Sequence, residues 1–235
     1  MMHEEMKSPA PEGGLLEYSM GEGVRAFTSG RDAVLPCAVI TPHQTHSTKV
    51  ALVDRADITP AELDGVDALV TSLPGLAIGV RTADCIPVLL FDPVRRAVGA
   101  VHSGWRGTVE MIAVRTVYAM RAHFGTCPGD LRAEICPGIS ADSFQVGAEV
   151  ALAFKQAGFP PEKVWSFRGP KTVDSPAGGH HIDLKECIRH SLKGCGVLSE
   201  NIHVCCEDTF TDTRFFSARR EGISCGRNIN AIMLI

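Results

Sequence analysis

Residues 81–107 read R-T-A-D-C-I-P-V-L-L-F-D-P-V-R-R-A-V-G-A-V-H-S-G-W-R-G and hold the strongest strand-turn-strand pattern of the chain. The two apolar runs, 86–91 and 97–101, predict short strands, and the Asp-Pro pair between them is typical of a turn. In such a hairpin Cys85, before the first strand, lies near His102, after the second. A thiol and an imidazole at one sheet edge indicate a metal half-site or a nucleophile–base pair. A buried cysteine beside a hydrogen-bonded histidine is the third interpretation.

The chain has 235 residues, of which 45% are hydrophobic, and a formal net charge of −4. This hydrophobic content supports a substantial core, and no linker-like tract divides the chain. The negative charge argues against nucleic acid or an anionic membrane surface as a partner. No apolar run approaches the roughly 20 residues of a membrane-spanning helix. We expect residues 1–20 to be a flexible polar leader and residues 21–235 to be a single catalytic domain.

Nine cysteines are scattered along the chain, many of them inside apolar runs. Their odd number, and an N-terminus without the apolar segment of a secretory signal, argue against a disulfide framework. We therefore expect reduced thiols and a cytoplasmic location. No C-x-x-C motif occurs, so the sequence does not predict a four-thiolate zinc site.

Apolar periodicity predicts further strands and three helices outside the hairpin. The predicted strands are 24–28, 33–40, 50–53, 67–71, 76–80, 131–136, 164–167, 202–206 and 230–235. One helix is predicted at 109–124 with Gly125 as its C-cap, a second opens at Asp142-Ser143 and stops at Gly158, and a third is capped by Asp183. The segment 168–179 is rich in Pro and Gly and predicts a mobile loop.

The predicted elements do not alternate regularly between strand and helix, and no G-x-G-x-x-G or phosphate-loop motif follows a strand. We therefore predict the α+β class: a single domain with mixed, largely antiparallel β-sheets flanked by helices.

Histidines also precede the predicted strand 50–53, where His43 and His46 lie three residues apart in H-Q-T-H. This spacing outside a helix does not by itself make a chelate, since histidine is common in polar loops. After His102 the chain turns into a helix, and the backbone N–H groups there favour an anion together with Arg106. A second anion contact, or else a solvated loop, is indicated by Arg214, Arg219 and Arg220.

Several motifs occur together in a fixed order from about Phe27 to the C-terminus. They are H-Q-T-H-S-x-x-V, D-A-L-V-T, T-A-D-C-I-P-V-L-L-F-D, A-V-H-S-G-W-R-G-T, I-D-L, and F-F-S-A-R-R-E-G with a following G-R. In these motifs the chain resembles the YfiH-type family, also called the polyphenol oxidase or laccase-domain family. Members of that family are regarded as purine nucleoside phosphorylases. The A-D-C and H-x-G-W-R-G blocks are the most specific part of the resemblance.

The resemblance implies one zinc ion per chain, bound by His46, Cys85 and His102. Two imidazoles and one thiolate leave one position of a tetrahedral zinc ion open, as in catalytic sites. The resemblance also implies phosphorolysis of adenosine and related purine nucleosides, such as inosine, guanosine and methylthioadenosine, to free base and ribose 1-phosphate. Adenosine deamination is ascribed to the family as well.

For this chemistry we expect Cys85 and His102 to be catalytic as well as metal-binding. His43, three residues from a ligand, is the candidate proton shuttle, and Asp84 is a candidate for orienting a ligand or the substrate. The candidates for phosphate binding are Arg106, Ser217 and Arg219.

The sequence departs from the family pattern in two places. Ser47 stands where glycine usually follows the ligand histidine. Phe144-Gln145 stands where the family usually has Tyr-Glu, which changes the polarity of that region. The expected zinc ligands are not affected by either change.

Three other interpretations remain open. The first is a copper-dependent polyphenol oxidase, although nine histidines without an H-x-H pair are few for a multicopper enzyme. The second is a cysteine hydrolase with Cys85 as nucleophile and His102 as base. The third is a zinc protein without catalytic activity, which would need a closed site with four ligands.

Overall fold

The computed structural model describes residues 14–168 and 178–235. Its strands are β1 (Leu15–Tyr18), β2 (Val24–Ser29), β3 (Val39–Ile40), β4 (Val50–Leu52), β5 (Ala68–Thr71), β6 (Ala77–Thr82), β7 (Ile86–Asp92), β8 (Ala97–Ser103), β9 (Arg132–Ile135), β10 (Gln145–Val146), β11 (Trp165–Arg168), β12 (Gly179–Ile182), β13 (Ile202–Val204) and β14 (Asn228–Leu234). Its helices are α1 (Trp105–Val109), α2 (Ile112–Phe124), α3 (Ala148–Gln156), α4 (Pro161–Val164), α5 (Leu184–Gly194) and α6 (Ala218–Glu221). Most of the loop predicted at 168–179 lies outside the described residues. Strand β1 lies within the stretch expected to be a leader.

A six-stranded sheet in the order β13-β9-β7-β8-β5-β4 contains the predicted hairpin. Strands β7 and β8 pair antiparallel from Ile86↔Ser103 to Asp92↔Ala97, which confirms the hairpin. Every residue of both strands is buried, because both faces of this sheet are covered. Side chains alternate between the faces. Leu90 therefore joins the core shared with the helices, whereas Leu89 joins the core shared with the second sheet.

The second sheet has five strands in the order β1-β2-β14-β6-β3. The C-terminal strand β14 lies between β2 and β6 and is antiparallel to both. A third, smaller sheet has the order β10-β12-β11. The two large sheets mix parallel and antiparallel pairs, with antiparallel pairs in the majority, which confirms the predicted fold class. No described helix is long and apolar enough to cross a membrane.

Two predicted elements form only in part. Of the strand predicted at 33–40, only Val39–Ile40 forms, and Val34 is 82% exposed. The helix predicted at 109–124 is divided into α1 and α2, because Met111 adopts a left-handed φ of 62° between them. Gly125 does end α2 in the left-handed conformation, as predicted.

The helix predicted to open at Asp142-Ser143 instead begins at Ala148, with Gly147 as its N-cap. The Ser143 hydroxyl donates to the carboxylate of Asp208, which is distant in sequence, and therefore does not cap the helix. The helix predicted at Asp183 is confirmed, since the Asp183 carboxylate accepts the backbone N–H of Glu186.

Candidate metal centre and active-site cleft

The three expected zinc ligands meet at the open end of the hairpin. His46 comes from the loop between β3 and β4, Cys85 precedes β7, and His102 lies near the end of β8. One potential ligand atom of each lies within 4.8 Å of the others. Cys85 Sγ is 3.9 Å from His46 Nε2, and the two imidazole rings are 4.9 Å apart at an angle of 70°. The hairpin therefore supplies two of the three candidate ligands, Cys85 and His102, and a separate loop supplies the third, His46.

The donor set fits a zinc ion. Tetrahedral zinc with Zn–S near 2.3 Å and Zn–N near 2.0–2.1 Å places sulfur and nitrogen ligands roughly 3.6 Å apart. The 3.9 Å distance from Cys85 to His46 differs from this by a few tenths of an ångström. Room for these ligands depends on Gly104, because a Cβ there would lie 2.9 Å from His46 Cδ2 and 3.1 Å from Cys85 Sγ. A glycine at this position of the H-S-G-W-R-G block thus leaves the space that the His46 and Cys85 side chains occupy.

Asp67 holds the centre together, and the sequence analysis missed this role. Its carboxylate is fully buried and accepts hydrogen bonds from the backbone N–H groups of Thr45, His46 and Ser47. Its Oδ1 also accepts from His102 Nδ1 at 2.7 Å, which leaves Nε2 of that ring free to bind a metal. The available signal was an acidic residue at the head of the apolar strand D-A-L-V-T, since a buried carboxylate needs donors.

Electrostatic interactions within the cluster favour the charged forms of Cys85, His102 and Asp67. Burial would raise the pKa of the Cys85 thiol, but the facing imidazoles of His102 and His46 lower it to about 6. Burial would lower the pKa of His102, but the Cys85 thiolate and Asp67 raise it to about 9. Burial would raise the pKa of Asp67, but hydrogen bonds from His102 and the loop amides lower it to about 2. The thiolate favoured here is also the form that binds metal.

The centre opens into a cleft of about 560 Å³. Its wall is formed by Pro42, His43, Gln44, His46, Arg81, Thr82, Ala83, Cys85, His102, Ala218, Ile223, Cys225 and Arg227. None of these side chains is a carboxylate, although the whole chain has a net charge of −4. The cleft can therefore accept an anionic or a neutral polar ligand beside the metal centre.

The candidate catalytic residues outside the centre differ in position. His43 lines the cleft, and its Nδ1 lies 2.6 Å from Asp64 Oδ1, with both side chains more than two-thirds exposed. Asp84 adopts a left-handed φ of 88° and is 9% exposed. Its carboxylate accepts from the Thr209 hydroxyl and the Arg219 backbone N–H. Asp84 therefore connects the turn before Cys85 to the C-terminal segment.

The candidate phosphate-binding residues do not line the cleft described above. Arg106 is exposed, and its guanidinium carbon lies 4.4 Å from the Trp105 ring centre. Ser217 is fully buried and caps α6 by accepting the Arg220 backbone N–H. Arg219 donates from both terminal nitrogens to the Gln145 carbonyl oxygen.

The remaining arginines and the divergent positions have structural contacts. Arg214 forms an ion pair with Asp212, and Arg220 donates to the backbone carbonyl oxygens of Thr209, Phe210 and Phe215. The Phe144 ring lies 5.8 Å from the Arg219 guanidinium carbon. The Ser47 hydroxyl donates to the Gly65 carbonyl oxygen and so fixes the loop that carries His46.

Among the residues of the cleft wall that sequence reasoning missed are Gln44, Arg81, Cys225 and Arg227. Gln44 lies in the H-Q-T-H motif and could have been found there. Arg81 lies on β6, and the others follow α6. Their proximity depends on β14 pairing with β6, which local patterns do not predict.

Comparison with known proteins places the chain in one family. Residues 26–235 match the family model described as multi-copper polyphenol oxidoreductase laccase. A purine nucleoside phosphorylase of Bacteroides thetaiotaomicron is 40% identical over 85% of this chain and 74% of its own length. The adenosine deaminase RL5 of an unknown prokaryotic organism is 42% identical over 83% of this chain and 74% of its own length.

The fold also matches a solved structure, the hypothetical protein YfiH of Bacillus licheniformis. The TM-score is 0.82 at 24% identity, with 96% of this chain and 98% of that chain covered. At this identity the match concerns the fold alone. The family match over residues 26–235 and the 40% identical relative show that the chain belongs to the multi-copper polyphenol oxidoreductase laccase family, also known as the YfiH family.

Proposed function

We propose that this chain is a zinc-dependent purine nucleoside phosphorylase. It cleaves adenosine, and related nucleosides such as inosine, guanosine and methylthioadenosine, with phosphate to free base and ribose 1-phosphate. The observation that carries the proposal is the His46–Cys85–His102 cluster at the base of a cleft without carboxylates. The relatives named purine nucleoside phosphorylase support the same reaction.

We assign zinc to the cluster, because two imidazoles and one thiolate can hold a tetrahedral zinc ion with one open position. The same three donors also bind copper in some proteins, so the metal analysis described below distinguishes the two ions. When bound, zinc supplies Lewis-acid polarisation of a substrate oxygen or nitrogen atom. Asp67 holds His102 in the tautomer that presents Nε2 to the metal, and it holds the loop of His46 through three backbone amides. The chain thus fixes the ligand orientation before substrate arrives.

The reaction requires one bond to form and one to break. A phosphate oxygen bonds to ribose C1′ while the bond from C1′ to the purine nitrogen breaks, and its electron pair leaves with the base. The proton of hydrogenphosphate ends on the purine. His43 is suited to relay that proton, because Asp64 accepts from its Nδ1 and leaves Nε2 able to take and return a proton.

The proposed catalytic domain contains residues 21–235, and β1 extends its five-stranded sheet toward the N-terminus. A cytoplasmic location is proposed with it, since all nine cysteines are free thiols and a reducing compartment preserves thiols. The catalytic residues proposed are Cys85, His102 and His43, with Asp84 as a residue that positions Cys85.

The direct test uses full-length protein purified without oxygen and quantified for metal, incubated with adenosine in the presence or absence of phosphate. Adenine formed only with phosphate, with about one zinc per chain, is the expected result. Cys85→Ala should lose both the zinc and the activity. Full zinc loading without adenine would refute the proposed substrate class.

The same experiment tests the competing activities. Inosine formed without phosphate would identify the chain as an adenosine deaminase, the activity that the RL5 relative is named for. Activity on phenols that requires copper would support the oxidase that the family model is named for. Alkylation of Cys85 that abolishes hydrolysis in metal-free protein would support a cysteine hydrolase.

A further inference from the structure

The described residues that line the cleft beside the metal centre include two arginines and no carboxylate, and the Asp64 carboxylate, which does not line it, is paired with His43. Arg81 and Arg227 are the guanidinium groups among its lining residues. The polar neighbours Gln44 and Thr82 are neutral. An anion that enters this cleft therefore meets positive charge on a wall whose own side chains include no carboxylate.

Arg227 is already engaged by the loop that follows α6. Its terminal nitrogens donate to the backbone carbonyl oxygens of Ile223, Cys225 and Gly226. This guanidinium shapes the cleft wall, and most of its donor capacity serves that loop.

The guanidinium of Arg81 differs from that of Arg227 in its contacts. Its side chain is exposed at the cleft, and its guanidinium has no hydrogen-bond or ion-pair partner within residues 14–168 and 178–235. Its backbone is nevertheless fixed: the N–H donates to Gln44 Oε1 at 2.8 Å, and the carbonyl oxygen accepts from Gln44 Nε2 at 2.9 Å. Residue 81 also pairs with Ile229 of β14. Because the strand is held in place and the guanidinium is not engaged by the described residues, its N–H groups are available to a ligand.

We propose that Arg81 binds the inorganic phosphate that the reaction consumes, beside the His46–Cys85–His102 centre; this rests on the proposed function. The guanidinium can donate two parallel N–H bonds to two phosphate oxygens, a geometry that lysine cannot reproduce. Gln44 links this anion position to the metal centre, since it lies two residues before His46 and clamps Arg81. Among the arginines considered, Arg106 and Arg219 do not line the cleft and Arg227 is engaged.

The kinetic test compares zinc-loaded full-length protein with the variants Arg81→Gln and Arg81→Lys, and with Arg121→Gln as a control on the exposed face of α2. The expected result is a KM for phosphate at least about 10-fold higher in Arg81→Gln, with the KM for adenosine within about two-fold of wild type. Arg81→Lys should fall between them, because it keeps the charge and loses the fork. Arg121→Gln should match wild type. An unchanged KM for phosphate in Arg81→Gln overturns the proposal.

A binding measurement separates this proposal from the proposed function. Phosphate is titrated into zinc-loaded wild type and Arg81→Gln without nucleoside, and heat or ³¹P line broadening is followed. Weaker binding in the variant supports the anion site even if wild type forms no adenine, in which case only the phosphorylase reaction is refuted. Equal phosphate affinity in the two proteins refutes the role of Arg81 whether or not adenine forms. Equal zinc content and melting temperature verify that the variant is folded.

Discussion

Replacing Asp67 with asparagine should weaken both the fold around the centre and its affinity for zinc. The carboxylate accepts four hydrogen bonds, three from backbone amides of the His46 loop and one from His102. Asparagine offers one acceptor oxygen, and its amide group is a donor. If that oxygen keeps the position of Oδ1, the backbone N–H groups of Thr45 and Ser47 face another donor.

The size of the effect follows from the loss of these two hydrogen bonds. A hydrogen bond to a charged group contributes about 1.5–3 kcal/mol, and the partly exposed loop lets its amides reach water, so the lower end applies. The expected loss is therefore about 3 kcal/mol, or about 6–12 °C in Tm for a chain of this length. Altering a group that orients a ligand histidine typically costs about 10- to 100-fold in metal affinity.

The assay has two parts: thermal denaturation of metal-free protein, and zinc affinity by competition with a chelator. Asp64→Asn is the matched control, because Asp64 also pairs with a histidine, His43, but both side chains are exposed. We expect that control to change Tm by less than about 3 °C and to leave zinc affinity unchanged. An Asp67→Asn variant with wild-type Tm and wild-type zinc affinity would refute the role assigned to Asp67.

Three further outcomes are expected. Gly104→Ala should weaken zinc binding at least about 10-fold in a chelator competition, because the new Cβ would contact His46 and Cys85. The Tm of the metal-free protein should stay near that of wild type, since alanine readily adopts the φ of −69° at this position. Unchanged zinc affinity would contradict the steric argument. Burial would raise the pKa of Asp208, but its serine and backbone donors lower it below the usual value. Its stabilisation is thus present above about pH 4 and lost as pH falls through the folded pKa, so the Tm deficit of Asp208→Asn should shrink between about pH 7 and pH 3; a constant deficit would contradict this. His43→Gln should lower kcat about 100-fold or more at unchanged zinc content, and an unchanged kcat would remove His43 as the proton relay.

The hairpin was predictable because the residues that determine it are close together in the sequence. Two apolar runs and an Asp-Pro turn determine β7 and β8, and the hairpin geometry then places Cys85 near His102. His46 was not predictable in this way, since its loop is held beside the hairpin by long-range contacts, among them those to Asp67 and the pairing of β4 with β5. The family resemblance supplied that residue.

Arginine contacts were the part that local reasoning predicted least well. Arg106 and Arg219 were selected for their motifs, but a motif does not show which guanidinium is already engaged. In the structure Arg219 donates to the Gln145 carbonyl oxygen, and Arg106 stacks on Trp105. Arg81 carries no motif signal and reaches the cleft because β6 pairs with β14.

The metal centre lies where the chain crosses from the five-stranded to the six-stranded sheet. Strand β6 belongs to the five-stranded sheet and β7 to the six-stranded sheet, and only residues 83–85 separate them. The left-handed backbone at Asp84 makes this crossing, and its carboxylate is held by Thr209 and by the Arg219 backbone N–H.

A second contact holds the same crossing from the other side. The Asp84 carbonyl oxygen accepts the backbone N–H of Ile139, and a Cβ at Gly138 would lie 3.0 Å from that oxygen. The position of the Cys85 thiol is therefore set by segments more than fifty residues away in sequence. This explains why Asp84 adjoins a proposed ligand and yet directs its carboxylate to Thr209 and the start of α6: its contacts favour positioning of Cys85 over direct contact with substrate.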